Sequence, residues 1–251
     1  MIPLFSLVLA AAVGWPVPVA ACDYEAERAA VVDADGATLL RVLARSGALV
    51  VEGRRGATEV RVRGRACASD PELLEAIRLD AGRDGAEALV EAVLPETGGW
   101  DDAYARLDLV IEAPAGIAAE IRDSSGEMEV RGVGGLRVDD GSGEVRIEDI
   151  AGPVHVDDNS GELYVAGVNG DVEIEDGSGE IEVHDVQGSV TLEDGSGPIR
   201  VEGVVGGVLV RRDGSGSIRV AGVEGDFVIE RDGSGDVSHR DVRGVVRIAG
   251  N

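Results

Sequence analysis

The chain contains no lysine, so all 23 of its basic side chains are arginines. Aromatic residues make up only 3% of the 251 residues, and the core must therefore be built from valine, isoleucine and leucine. Hydrophobic residues reach 44%, which indicates a folded chain rather than a disordered one. The net charge of −25 excludes a general affinity for nucleic acids or anionic lipids, because their phosphates would be repelled.

Long apolar stretches are also missing, except at the N-terminus. Residues 1–21 are nearly all uncharged and end in the small residues Val19, Ala20 and Ala21, a pattern typical of a secretory signal peptide. The apolar run is too short to span a bilayer comfortably and is interrupted by prolines. We therefore expect an exported protein of the periplasm or cell surface, with no transmembrane span after the signal is cleaved.

Only two cysteines occur, Cys22 and Cys67. In an oxidising compartment they are expected to form a disulfide, worth roughly 3–4 kcal/mol through the entropy of loop closure. The alternative is a lipoprotein, because the sequence before Cys22 also fits a loose lipidation signal. Cys22 would then carry a lipid anchor and Cys67 would stay unpaired.

A turn of the form Asp-x-Ser-Gly recurs from residue 123 to the end of the chain. Its seven copies begin at Asp123, Asp140, Asp158, Asp176, Asp194, Asp213 and Asp232. The closing glycines of successive copies are 17 to 19 residues apart. Near-constant spacing of this kind is the mark of an internal structural repeat.

Between the turns, apolar residues alternate with polar ones, as at Val145 and Ile147 or at Val154 and Val156. This pattern predicts two short strands per unit, each with one buried face. A unit of two short strands buries too little apolar surface to be stable alone. Stacking the units in register, with about 4.8 Å between successive rungs, buries equivalent apolar side chains against one another. We therefore predict an all-β fold, a parallel β-solenoid of about 18 residues per rung that occupies residues 101–251.

Residues 22–100 follow the repeat less closely and are predicted to form an N-terminal cap and the first irregular coils. The segment Ser69–Glu75 has a polar cap residue, an early proline and an acidic first turn, which predicts the start of a helix. A hairpin is expected around Arg83, Asp84 and Gly85. A cap makes physical sense because the first rung of a solenoid exposes unpaired strand edges.

Repeated Asp-Gly-Ser-Gly turns between short Val/Ile strands, behind a signal peptide, resemble a bacterial adhesin-like β-strand repeat family of unknown function. The resemblance covers most of the mature chain and is clearest over residues 104–248. It implies the β-solenoid architecture and an adhesin-like role. It implies no catalytic residues, because none is established for the family.

The recurring aspartates are the first candidate site, because stacked rungs place them one above another. One interpretation is structural: each carboxylate accepts hydrogen bonds from the N–H groups of its own turn. The other is a line of Ca²⁺ sites. The metal candidates are the ladder Asp140, Asp158, Asp176 and Asp194, and no other cofactor is expected.

The second candidate is a contact surface for a partner of unknown identity. Leu209 and Val228 are predicted to point outward on neighbouring rungs, either as an ordinary exposed pair or as a partner contact. The final strand, Val245–Ile248, offers a further possibility, since its free edge could accept a strand from another chain.

Catalytic groupings are absent from the pattern. His155, His184 and His239 are too dispersed for a metal site, and no single break in the repeat combines an acid, a base and a nucleophile. We therefore expect a non-enzymatic structural or binding protein. The rival class is a β-helical carbohydrate-active enzyme, against which stand the few aromatics and the uniformity of the acidic column.

Overall fold

The computed structural model describes residues 22–97 and 103–249. It is nearly all β, with 63% strand and 3% helix, and stacked parallel coils form a β-solenoid of about seven turns roughly 18 residues apart. The predicted fold class is thus confirmed. The predicted signal peptide at 1–21 lies outside the described residues.

One short helix and eight strands precede the first repeated unit. In chain order they are β1 (Tyr24–Asp33), β2 (Leu39–Ser46), β3 (Leu49–Arg54), β4 (Glu59–Ala68), α1 (Pro71–Ala76), β5 (Arg78–Asp84), β6 (Glu87–Val93), β7 (Ala105–Pro114) and β8 (Ala118–Ser125).

The repeated units contribute strands of three to six residues, which alternate between two sheets. They are β9 (Met128–Arg131), β10 (Gly135–Asp140), β11 (Val145–Ile150), β12 (Val154–Asp158), β13 (Leu163–Val168), β14 (Val172–Asp176), β15 (Ile181–Val186), β16 (Val190–Asp194), β17 (Ile199–Val204), β18 (Val208–Asp213), β19 (Ile218–Val223), β20 (Phe227–Ile229), β21 (Val237–Val242) and β22 (Val246–Ile248).

Each sheet has eleven strands. Sheet A runs β1-β4-β7-β3-β9 and then through the odd-numbered strands to β21, while sheet B runs β5-β6-β2-β8-β10 and then through the even-numbered strands to β22. From β9 onward every pairing is parallel, so that each coil lies directly beside the next.

The core is a set of valine and isoleucine columns between the two sheets. One column joins Ile147, Val165, Val183, Val201 and Val220, which are in-register partners on successive strands and are all buried. Burying a side chain of this size contributes roughly 1.5–3 kcal/mol. The same column is extended by every rung, which explains how so few aromatics suffice.

Glycine closes each Asp-x-Ser-Gly turn because the turns stack too closely for a side chain. Gly179 has a φ of +153°, and a Cβ at this position would collide with the carbonyl oxygen of Gly161 in the preceding rung. The Gly179 N–H donates to the carbonyl of Ser196 in the next rung at 3.0 Å. The turns are therefore hydrogen-bonded from coil to coil like the strands.

The N-terminal part is woven into the stack rather than placed before it. Strand β3 pairs in parallel with both β7 and β9, and β2 pairs in parallel with both β6 and β8. Strand β4 runs antiparallel to both β1 and β7. Strands β1 and β4 are therefore the last two strands at this end of sheet A. The division predicted near residue 100 falls in the undescribed stretch 98–102 and stays a prediction.

The predicted local features of this segment are present. Asp70 caps α1 by accepting a hydrogen bond from the N–H of Glu72 at 2.7 Å, and Pro71 occupies the first turn. Strands β5 and β6 form the predicted antiparallel hairpin. Arg28 of β1 donates to the carbonyls of Leu74 and Ile77, both at 3.0 Å, which anchors the end of the helix.

A disulfide joins Cys22 to the buried Cys67 of β4, with a Cα–Cα distance of 5.4 Å. The predicted disulfide is thereby confirmed. It fastens the start of the described chain to the second strand of sheet A.

Candidate functional site

The aspartates of the repeated turns form a buried column along one edge of sheet B. Asp140, Asp158, Asp176 and Asp194 are in-register partners on successive strands, and Asp213 continues the series. These five side chains are only 1–7% exposed. The predicted stacking is therefore correct, and the column is more buried than an ordinary turn residue would be.

Hydrogen bonds from the turns satisfy part of this column. One carboxylate oxygen, Oδ1, accepts from the N–H two residues later in Asp158, Asp176 and Asp194, at 3.2, 3.3 and 3.0 Å. The other oxygen, Oδ2, of each is buried without a hydrogen-bond partner. In Asp140 and Asp213 both oxygens lack a partner. The structural interpretation thus holds at three rungs, and it leaves orphaned acceptors throughout.

Burial raises the pKa values of the column, and the charge of a neighbouring aspartate raises most of them further. The pKa of Asp194 is raised to about 7 by burial and then by Asp176. Burial and Asp140 likewise raise the pKa of Asp123 to about 7. Asp140, Asp176 and Asp213 reach about 6, each by burial first and an adjacent aspartate second.

Turn N–H groups oppose these shifts because they stabilise the charged form. In Asp158, whose pKa is also raised, burial is opposed by hydrogen bonds from Ser160 and Asn159. The protonated form of these side chains therefore persists to a higher pH than that of an ordinary aspartate.

A second acidic line runs outside the first. Asp139, Asp157, Glu175 and Glu193 are in-register partners on the same strands. The last three of these, with the buried Asp158, Asp176 and Asp194, line a shallow groove that also includes Arg212. Over the described ranges 22–97 and 103–249, however, no three Asp, Glu, His or Cys side chains are grouped closely enough to hold a metal ion. The calcium ladder stays a prediction.

The apolar pair predicted on the outside of sheet B lies where expected. Leu209 of β18 and Val228 of β20 are in-register partners, and both are half-buried. Thr191 of β16 precedes them in the same column. The pair forms a small apolar area, and its proposed role as a partner contact stays a prediction.

Ion pairs and a tyrosine lie on the outer face of sheet A. Arg200 of β17 pairs with Glu180 and, at 2.7 Å, with Glu182 of the preceding rung. Tyr164 is sandwiched, because the Arg146 guanidinium lies 4.3 Å from its ring centroid and the His184 ring lies 5.6 Å away. Tyr164 therefore already has a cation and a second ring as neighbours.

The three histidines contact different residues, although His184 and His239 line the same surface pocket. His155 faces Glu173 at 3.4 Å, His184 lies 3.9 Å from Glu182, and His239 meets the ring of Phe227 with centroids 6.1 Å apart. No nucleophile and base are brought together around any of these three in the contacts described above.

The sequence pattern did not predict a hollow in the outer surface of sheet A. Glu148 and Glu202 occupy one outward column, but the corresponding residue of β19 is Ala221. Arg219 lies on the same face of β19, and the hollow above Ala221 has a volume of about 360 Å³. Ala166 also lies in this column, but Ala221 is the alanine that stands between two charged residues, Glu202 and Arg240.

Comparison with known proteins shows similarity to solved structures only. No family model matches the chain, and no curated protein matches it. A candidate cell adhesion protein from Clostridium sporogenes is 14% identical over 90% of this chain and 99% of its own, with a TM-score of 0.31. A candidate adhesin from Parabacteroides merdae is 12% identical over 89% and 96%, with a TM-score of 0.33.

A candidate lipid-binding protein from Parabacteroides distasonis is also 12% identical, over 89% of this chain and 97% of its own, with a TM-score of 0.36. The adhesin names agree with the resemblance indicated by the repeated turns. At these identities and TM-scores the similarities assign no activity to the chain. Within the described residues, no helix has the length and apolar character needed to cross a membrane.

Proposed function

We propose that this chain is an exported, non-enzymatic structural or binding protein of the cell envelope, an adhesin-like β-solenoid. The observation that supports this function is the rung-by-rung repetition of the side-chain columns. A catalytic site needs one unique grouping, whereas the columns here present the same chemistry at regular intervals along broad outer faces. Such faces suit the binding of an extended partner or the support of a larger assembly.

The disulfide supports the exported location. Disulfides such as Cys22–Cys67 persist in oxidising compartments and are rare in a reducing cytosol. The same bond bears on the lipid anchor, because an acylated Cys22 could not also be bonded to Cys67. We therefore propose a periplasmic or surface protein without a lipid on Cys22.

Cell fractionation combined with mass spectrometry of the N-terminal peptide tests this location. We expect the protein in the envelope or outside the cell, cleaved before Cys22, with Cys22 and Cys67 lighter than the reduced pair by the mass of two hydrogen atoms. Recovery of the uncleaved chain with free thiols from the cytosol would refute export. A lipidated Cys22 would refute the disulfide-bonded form alone.

Crosslinking in envelope extracts tests the binding role. The wild type is compared with Leu209→Ser/Val228→Ser and with the control Thr191→Ser, which alters the same column without removing a large apolar group. Loss of crosslinked partners only in the double variant assigns the contact to this pair. Unchanged partners in both variants would remove the pair from the binding surface.

A further inference from the structure

We propose that the outer face of sheet A carries a carboxylate-binding site above Ala221, with Arg219 as the residue that contacts the ligand. This inference rests on the proposed binding role and names the chemistry of one ligand. It concerns the C-terminal rungs, where the charge pattern of the chain changes.

The site is formed by a small residue among large ones. Ala221 of β19 is in register with Glu202 of β17 and with Arg240 of β21. Its methyl group leaves the hollow of about 360 Å³ open between these longer side chains. The hollow is also lined by His184, Arg200, Arg219 and Ser238. Basic groups therefore surround it on several sides.

Most of these cations already have carboxylate partners. Arg200 pairs with Glu180 and Glu182, and Arg240 reaches across the hollow to Glu202 at 3.2 Å. Arg219 differs, since it is exposed and forms no ion pair with any described residue.

The remaining contact of Arg219 leaves its guanidinium available. Its Nη1 donates to the Ser217 hydroxyl at 3.0 Å. A guanidinium has five N–H donors in a planar fork that matches the two oxygens of a carboxylate. The other donors can therefore bind a carboxylate placed in the hollow.

The negative charge of the solenoid limits which anions can bind at this site. Residues 123–210 contain 21 aspartates and glutamates against four arginines. This field repels polyanions and opposes a doubly charged phosphate more than a single carboxylate. The anion that is repelled least is a single carboxylate on an otherwise uncharged molecule, such as a uronic acid unit in a neutral glycan.

The test is a titration of the full chain with sodium glucuronate, followed by backbone amide chemical shifts in nuclear magnetic resonance. Glucose and inorganic phosphate at matched ionic strength serve as comparison ligands. We expect saturable shifts confined to amides around Arg219, Ala221 and Arg240, with a dissociation constant on the order of millimolar. Glucose is expected to give none.

Two variants locate the binding. Arg219→Gln is expected to weaken glucuronate binding about tenfold, as expected for loss of a charge-assisted contact. Ala221→Glu supplies an internal carboxylate to Arg219 and is expected to weaken binding likewise. It keeps the fold, because Glu148 and Glu202 fill this column in other rungs. The control Arg137→Gln removes an exposed arginine from β10 of sheet B and should leave binding unchanged.

Absence of saturable shifts, an equal response to glucose, or equal weakening by Arg137→Gln would overturn the site. Tighter binding of phosphate than of glucuronate would overturn the carboxylate assignment. If the protein is exported but does not bind glucuronate, the carboxylate site is wrong and the proposed location stands. A cytosolic protein that binds glucuronate through Arg219 contradicts only the proposed location.

Discussion

Replacing one aspartate of the buried column by asparagine tests how the column is charged. Asp176→Asn keeps an oxygen that can accept from the Ser178 N–H and removes the ionisable group. The new amide can also donate to the orphaned oxygens of Asp158 or Asp194. The change is close to isosteric, so its effect on stability reports mainly on charge.

The pKa of Asp176 gives the sign and the size of the effect. Because burial and the charge of Asp158 raise it from 3.8 to about 6, the folded state holds its proton more tightly than the unfolded chain. Stability contributed by the protonated form is present below pH 4 and is lost as the pH rises through 6. Two pKa units correspond to a ceiling of about 3 kcal/mol, and screening by water in the adjoining groove reduces it to about 1–2 kcal/mol.

Chemical denaturation followed by circular dichroism at pH 3.5, 6 and 8 measures this effect. At pH 8 we expect Asp176→Asn to be more stable than the wild type by about 1–2 kcal/mol, while at pH 3.5, below the unfolded pKa, the two should nearly coincide. The comparison requires equal denaturant slopes, since solenoids can unfold in parts.

Glu175→Gln is the matched control, because it removes a carboxylate from the solvent side of the same strand. It should change stability by less than about 0.5 kcal/mol at every pH. An asparagine variant less stable than the wild type at pH 8, or a control with the same pH dependence, would contradict the raised pKa of the column.

Three further predictions concern the turns, the disulfide and calcium. Gly179→Ala is expected to destabilise the protein by at least about 2–3 kcal/mol in thermal unfolding, because its methyl group would collide with the carbonyl of Gly161. Gly56→Ala, with a positive φ but open space, should cost only about 1–2 kcal/mol, and equal losses would contradict the stacking explanation. Reducing the Cys22–Cys67 bond should lower the free energy of unfolding by roughly 3–4 kcal/mol in denaturant titrations, and no change would show that the bond constrains nothing. Calorimetry with millimolar calcium separates the two interpretations of the aspartate column: no saturable uptake is expected of a purely structural column, and saturable heat would support the calcium ladder.

The regular coils could be predicted from the sequence because their determinants are local. Alternation such as Val145 and Ile147 defines a buried face within one strand, and the constant turn spacing then requires that successive units align. The helix start after Asp70 and the hairpin at Gly85 were predictable for the same reason. Each depends on residues only a few positions apart.

The features that escaped prediction depend on distant neighbours. Strand β3 lies between β7 and β9, although β7 begins about 50 residues after β3 ends, and no local pattern encodes that pairing. The burial of Asp140 and Asp213 also follows from the stacked turns around them rather than from their own turn. The hollow at Ala221 becomes visible only when residues of neighbouring strands are placed side by side.

The interleaving of β3 constrains the order in which the protein can assemble. During synthesis β3 emerges well before β7 and β9, and it must wait with both backbone edges unsatisfied until they arrive. Pairings in the later coils join residues only 17 to 19 positions apart, so their loop-closure cost is low. Each later coil can therefore pair with its neighbour as soon as the next coil is synthesised, whereas β3 gains both of its partners only after β7 and β9 have emerged.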